Sequence, residues 1–254
     1  MIFTQRYFIE LAYKGTAYHG WQKQPNAIAV QQVLEQALHT YFRKPIETLG
    51  CGRTDAGVHA TQFFAHFDLE ETLSEEQAIK FIKAINALLP YDMAIKQIIA
   101  VAAQAHARFD ATLRAYQYHI HFNKDPFKTD NSWLIKDFLD VEAMNEAAKI
   151  ILSYQDFGAF CKSNADNFTN ICEVSQSQWE ITPNGMVYHV KANRFLRNMV
   201  RAIVGTLVEV GKGKMAPANL HQIIQSQNRS AAGASVPACG LFLTEVAYPY
   251  IQKK

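Results

Sequence analysis

The chain has little of what marks several large classes of protein. Its 254 residues hold four cysteines, Cys51, Cys161, Cys172 and Cys239, with no CxxC pair and no His/Cys cluster at zinc-ligand spacing. Neither a disulfide framework nor a metal site is expected, and free thiols in a reducing compartment are. A GxGxxG loop, the usual fingerprint of dinucleotide binding, is absent. No apolar run approaches the roughly 20 residues that span a bilayer. The opening Met1-Ile2-Phe3-Thr4-Gln5-Arg6-Tyr7 lacks the charged-then-apolar layout of a signal peptide. A soluble, cytoplasmic protein with no membrane partner is the expectation. An excess of one charge is missing too: 25 basic against 23 acidic residues leave a net charge of +2. Bulk charge therefore implies no nucleic-acid partner, and only a local concentration of basic residues can.

What is present is an ordinary globular composition, 49% apolar and 19% charged, long enough for one large domain or two small ones. Aromatic and β-branched residues predict strands at Arg6–Tyr13, Glu47–Cys51, Gln62–Asp68, Met93–Val101 and Tyr116–Phe122. Val30, Val33, Leu34, Ala37, Leu38 and Tyr41 recur at helical spacing, which predicts an amphipathic helix over Val30–Phe42. Further helices are expected at Glu75–Leu88 (stopped by Pro90), Glu142–Leu152, Phe195–Val210 and Asn219–Ser226. A strand pair is expected at Cys172–Ile181 and Met186–Ala192 across Pro183-Asn184-Gly185, and a last strand at Leu241–Tyr248. Strands beside strands, mixed with helices, argue an α+β fold with a largely antiparallel sheet. Both halves run strand, helix, strands, so two related units are expected, 1–104 and 105–254, cut near Ala102–Ala105.

The run Gly52-Arg53-Thr54-Asp55-Ala56-Gly57-Val58-His59-Ala60 is the most informative stretch. It sets one carboxylate on a tight turn directly after a β-like segment, beside an arginine. An ionised carboxylate on a loop held by a strand is a credible nucleophile, and a nearby cation favours the ionised form. An Asp that simply bonds neighbouring turn amides is the other reading of the same residues. Basic residues concentrate between Lys191 and Lys214, where Arg194, Arg197 and Arg201 at i, i+3 and i+7 share one face of the expected helix, behind Phe195, Met199, Ile203 and Leu207. Such a face can track a phosphate backbone or simply be solvated. The loop Tyr13–Gln24 mixes aromatics with Lys14, His19 and Lys23, which suits RNA contact, while Tyr13 and Trp21 equally suit packing beneath the loop. After His106-Ala107-Arg108-Phe109, the strand residues Arg114, Tyr116 and Tyr118 point to one face.

The Gly52–Ala60 run resembles, without a mismatch, the catalytic-aspartate motif of the tRNA pseudouridine synthase A family (TruA). Tyr18-His19-Gly20-Trp21-Gln22, Arg194–Gly205 and Pro237–Leu243 resemble further segments of that family, in islands from about Phe8 to Tyr248. Ala105 departs from the pattern, standing where members commonly carry phenylalanine. The resemblance implies two α+β halves whose sheets join around a basic cleft, a homodimer, and a tRNA substrate modified at uridines 38–40 of the anticodon stem-loop. It implies Asp55 as the catalytic nucleophile, Arg201 as its ionic partner and Tyr116 as the active-site tyrosine. Arg114, Arg194, Arg197, Lys14, His19 and Lys23 fall to substrate binding, with Leu241 in the apolar wall of the uracil pocket. Arg53 is placed to fill the space that a flipped base vacates, or to hold a phosphate. Isomerisation gains no atoms or electrons, so no cofactor or metal is expected. Two rival readings remain at this stage. One is a non-catalytic RNA-binding or RNA-folding protein on the same scaffold. The other is a glycoside hydrolase, which normally needs a second carboxylate, for which only Asp68 and Asp110 are near the motifs.

Overall fold

A computed structural model describes residues 5–162 and 168–252, and the chain divides into two compact units. One comprises the described residues up to Thr112 together with those from Leu243 on; the other is Leu113–Phe242. Among the described residues there are five α-helices and nine strands, an α+β content as expected.

In the first unit β1 (Gln5–Tyr13) lies antiparallel between β3 (His59–Leu69) and β4 (Met93–Val101). A short β2 (Leu49–Gly50) pairs with β3, and β9 (Leu241–Ala247), which belongs to this unit from Leu243 on, flanks β3. Phe8, Ile9 and Leu11 are fully buried, as a central strand covered on both faces requires. Helices α1 (Val30–Phe42) and α2 (Glu75–Leu88) take the spans expected of them. α1 buries Val30, Leu34, Ala37 and Leu38, and α2 buries Phe81 and Ile85. The ring of Phe42 meets those of Phe81 at 5.6 Å and Phe67 at 6.5 Å, joining both helices to β3. A capping box starts α2: Ser74 Oγ accepts from Gln77 N at 3.2 Å, and Gln77 Oε1 accepts from Ser74 N at 2.8 Å.

The second unit carries β5 (Leu113–His121), β6 (Trp133–Leu134), α3 (Val141–Ile151), β7 (Val174–Thr182), β8 (Gly185–Ala192), α4 (Met199–Gly211) and α5 (Asn219–Ser226). β8 is antiparallel to both β5 and β7, while β6 adds a parallel pair to β5. The side chain of Asn145 bonds both backbone groups of Trp179, at 3.2 and 2.8 Å, and so pins α3 to β7.

Several element boundaries differ from the sequence reading by one to a few residues, and three matter here. β3 begins at His59 rather than Gln62, so the end of the Gly52–Ala60 run is already strand. β2 keeps only two of the five residues expected. The third difference bears on the site. The helix expected from Phe195 begins at Met199, because Asn198 adopts φ 66°, outside the right-handed helical region. Arg194 and Arg197 therefore precede the helix and share no face with Arg201. α4 is also not a half-solvated helix, since only Arg201 and Glu209 within it escape burial.

The two units divide after Thr112, beyond the cut expected after residue 104. The intervening turn is tied to the first unit. Arg6 Nη1 donates to Ala105 O at 3.0 Å, Ala107 N to His66 Nδ1 at 3.1 Å, and Tyr248 OH to Ala107 O at 2.6 Å.

Candidate active site

Asp55 sits half-buried on the turn between β2 and β3. Val58 N closes the turn on Asp55 O at 3.1 Å, and Gly57 takes φ 78°, a conformation that side-chain-bearing residues rarely adopt. The segment Tyr13–Trp21 grips this turn from below. Gly57 N donates to Tyr18 O at 3.1 Å, Trp21 N to Thr54 O at 3.3 Å, and the Tyr13 hydroxyl meets Thr54 Oγ1 at 2.9 Å. Gly20, at φ 87°, lies so close that a Cβ there would stand 2.3 Å from Thr54 O. Tyr18 OH donates to Asp92 Oδ1 at 2.5 Å. Burial first, and Asp92 second, raise the Tyr18 pKa well above the ordinary tyrosine range, so it remains a neutral donor. His59 Nδ1 accepts from Gly15 N at 2.9 Å, and the Trp21 ring stacks on Phe63 at 4.2 Å. Backbone and aromatic contacts thus fix the turn that carries Asp55, as a catalytic group requires of its support.

Of the other residues singled out in this unit, Arg53, Lys14 and His19 are exposed. Lys23 is ion-paired with Glu35 at 2.5 Å, and that carboxylate also accepts from Thr48 N at 2.8 Å. Tyr13, Tyr18 and Trp21 are buried, so packing under the loop accounts for these aromatics. Asp68 is bound to Arg6 at 2.7 Å, and Asp110 accepts from His106 N and from Tyr250 OH, both at 2.8 Å. Both candidate second carboxylates of a hydrolase therefore serve structural pairs. Ala105 is buried, its carbonyl engaged by Arg6.

The second unit gathers most of the remaining candidates around two segments, 193–198 and 236–241. Arg114 Nη1 donates to Asn193 O at 2.8 Å, and Tyr116, two residues on along β5, meets the Phe195 ring edge-on at 5.1 Å. Arg194 Nη1 reaches Thr169 O at 3.3 Å, and Arg197 is exposed. Arg201 Nε donates to Val236 O at 2.7 Å, while Val236 N returns a bond to Arg201 O at 3.3 Å. Tyr118 OH donates to the next carbonyl, Pro237 O, at 2.8 Å. Burial raises the Tyr118 pKa far above the ordinary range, with the Arg201 charge acting against that rise. Leu241 is buried at the start of β9.

A family model described as tRNA pseudouridine synthase matches residues 11–110 and 147–249. The chain belongs to the tRNA pseudouridine synthase family. The matched segments include Asp55, Arg201 and Leu241, whereas Arg114 and Tyr116 lie between them. A protein named tRNA pseudouridine synthase A from Bacteroides fragilis is 49% identical over 247 residues, covering 96% of this chain and 97% of that protein. Its namesake from Porphyromonas gingivalis is 48% identical over 248 residues with the same coverage of each chain. The Bacillus licheniformis protein of that name is 36% identical, covering 94% of this chain and 97% of its own length.

Several residues that shape the candidate site were not singled out from the sequence. Thr54, Tyr18, Asp92 and His59 fix the Asp55 turn through contacts between segments far apart in sequence. Arg229 is another: its Nη1 donates to Gly233 O at 3.0 Å and its Nη2 to Ser235 Oγ at 2.9 Å, bracing the strap that ends in the Val236 carbonyl. The local signals for these were the strings Tyr18–Trp21 and Gly52–Ala60, while Asp92 and Arg229 carried none. Among the described residues no group of three or more His, Cys, Asp or Glu side chains is placed to hold a metal ion, and no helix is long and apolar enough to cross a membrane. Cys51, Cys161 and Cys172 are buried and Cys239 is half-buried, none of them in a disulfide.

Proposed function

We propose that the protein isomerises uridine to pseudouridine in tRNA, at positions 38–40 of the anticodon stem-loop, with Asp55 as the nucleophile. The observation that carries the reading is Asp55 itself: a half-buried carboxylate on a turn locked by Gly57, Gly20 and Thr54, inside a run that matches the family's catalytic motif throughout. The target base leaves its stack so that the carboxylate can reach it. The bond from N1 to the sugar C1′ breaks, the uracil turns, and C5 bonds to the same C1′. The proton lost from C5 balances the one gained at N1, so no external reactant enters.

In this reading Tyr116, braced edge-on by Phe195, holds the flipped uracil, and Leu241 supplies apolar wall. Arg201, its guanidinium oriented by the bond to Val236 O, is the cation assigned to Asp55. Arg53, Lys14 and His19 in one unit, and Arg114, Arg194 and Arg197 in the other, supply phosphate and base-edge contacts. Lys23 joins them only by giving up Glu35. The active species is proposed to be a cytoplasmic homodimer.

The test is pseudouridine mapping of unmodified bulk tRNA incubated with wild type and with Asp55→Asn. Modification at 38–40 by wild type alone, with both proteins binding tRNA, supports the assignment. Turnover by Asp55→Asn removes the nucleophile, and modification elsewhere removes the anticodon site. Binding without product from either protein leaves an RNA-binding protein instead.

A further inference from the structure

The segment His106–Asp110 plays no part in the site described above, yet it is built with unusual economy of motion for a surface turn. His106 Nδ1 accepts from both Arg108 N, at 3.1 Å, and Phe109 N, at 3.2 Å. Asp110 N returns to His106 O at 3.0 Å, and the Asp110 carboxylate accepts from His106 N at 2.8 Å, so the turn is closed twice. His66 and Tyr248 then bind the backbone of Ala107 on both its polar groups, at 3.1 and 2.6 Å. A series of rings runs outward from the core. Phe8, fully buried, stacks with His66 at 6.1 Å; His66 meets His106 edge-on at 4.9 Å; His106 lies 4.2 Å from Phe109 at an interplanar angle of 31°.

Phe109, the last ring, is 74% exposed. The guanidinium of Arg108 stands 5.6 Å from its centroid. Phe127 and Phe138 are more exposed still, at 89% and 87%, so exposure alone singles out nothing. What sets Phe109 apart is the closed turn that carries it and the imidazole and guanidinium at its ring. The apolar area is a single ring edged by a cation and an imidazole. That is small for the core of a protein interface, and it matches the flat face of one nucleobase with a phosphate within the reach of an arginine. Because the ring is pre-ordered by His106, little side-chain entropy is lost when a base settles on it.

We propose that Phe109 and Arg108 form a second nucleotide subsite, Phe109 stacking on an unpaired base of the tRNA substrate and Arg108 holding an adjacent phosphate. The subsite rests on the tRNA reading above and extends it to a contact remote from the isomerised base. It contributes to binding rather than to chemistry.

The experiment uses the full chain and unmodified tRNA, with Phe109→Ala, Phe109→Leu, Phe109→Trp and Arg108→Gln. Losing one base stack raises Kd and KM for tRNA about five- to a hundredfold, and kcat at saturating tRNA stays within about twofold of wild type. Phe109→Leu, apolar but without a π face, behaves like Phe109→Ala. Phe109→Trp restores affinity, and its fluorescence is quenched on adding tRNA. Arg108→Gln lessens the salt dependence of binding by about one phosphate contact.

Binding and turnover by Phe109→Ala within about twofold of wild type, in an active wild type, overturn the subsite and leave the proposed function standing. An inactive wild type whose tRNA binding is lost on Phe109→Ala overturns the isomerase reading and keeps the RNA contact. A Phe109→Ala protein that changes oligomeric state with unaltered tRNA binding makes Phe109 a protein contact and overturns the proposal. Should Phe109→Ala not fold, quenching in Phe109→Trp decides, and its absence is against the subsite.

Discussion

Acid should weaken the first unit through one histidine. His66 is 7% exposed on β3, and its pKa is lowered to about 4, by burial first and then by Arg6 and His106, against the opposite pull of Asp68 and Asp110. In the unfolded chain the same imidazole has its ordinary value of about 6.5. Well above pH 6.5 both states are neutral and this residue adds no pH dependence. As the pH falls below 6.5 the unfolded chain takes up a proton that the folded chain refuses, so stability drops until the folded ring also protonates near pH 4. Linkage between these two values amounts to about 2 kcal/mol lost from pH 7 to pH 5, and about 3 kcal/mol once both forms are protonated. Structurally, a proton on Nδ1 removes the acceptor for Ala107 N and sets a cation beside Arg6, so the His106–Asp110 turn is what loosens. The variant His66→Gln keeps an acceptor for that amide without a titrating ring. Urea unfolding followed by hydrogen exchange across β1 and β3 should show wild type losing about 2 kcal/mol more than His66→Gln between pH 7 and 5. NMR titration of the His66 ring should give a midpoint near 4. Parallel stability curves, or a ring titrating near 6.5, would refute the reasoning.

Two further substitutions test the scaffolding of the candidate site. Gly20→Ala places a methyl 2.3 Å from Thr54 O at φ 87°, so the Asp55 turn must shift. A stability loss of about 1–3 kcal/mol and a fall in kcat are expected, and thermal unfolding with single-turnover kinetics that match wild type would contradict them. Arg229→Gln releases the carbonyl of Gly233 and the hydroxyl of Ser235, slackening the strap that orients Arg201 through Val236 O. It should cost about 1–2 kcal/mol and lower kcat with KM for tRNA little changed; a change in KM alone would assign Arg229 to binding.

Much of the local architecture was legible in the sequence because local rules decide it. Apolar spacing fixes the face of α1, and Pro90 marks where α2 stops. Aromatic and β-branched residues mark β1 and β4, and Pro183-Asn184-Gly185 marks the β7–β8 hairpin. The start of α4 was not legible, since periodicity continues smoothly through Phe195–Arg197 and only the left-handed Asn198 interrupts it. Its burial was equally hidden. Arginines at helical spacing read as a solvated stripe, whereas all but Arg201 and Glu209 in α4 is covered by packing from segments elsewhere in the chain.

Asp55 could be singled out from sequence because its chemistry and its turn are encoded within nine consecutive residues. That the turn is gripped by Tyr18, Gly20 and Trp21, that Lys23 is engaged by Glu35, and that Asp68 and Asp110 are occupied by Arg6 and Tyr250 depend on contacts between separate segments, up to 140 residues apart; only the bond from His106 to Asp110 is local. Residue identities and short spacings determine which groups exist and which local conformations they favour. Which of those groups are partnered, buried or presented to solvent is decided when distant segments pack, and only the tertiary structure holds that information.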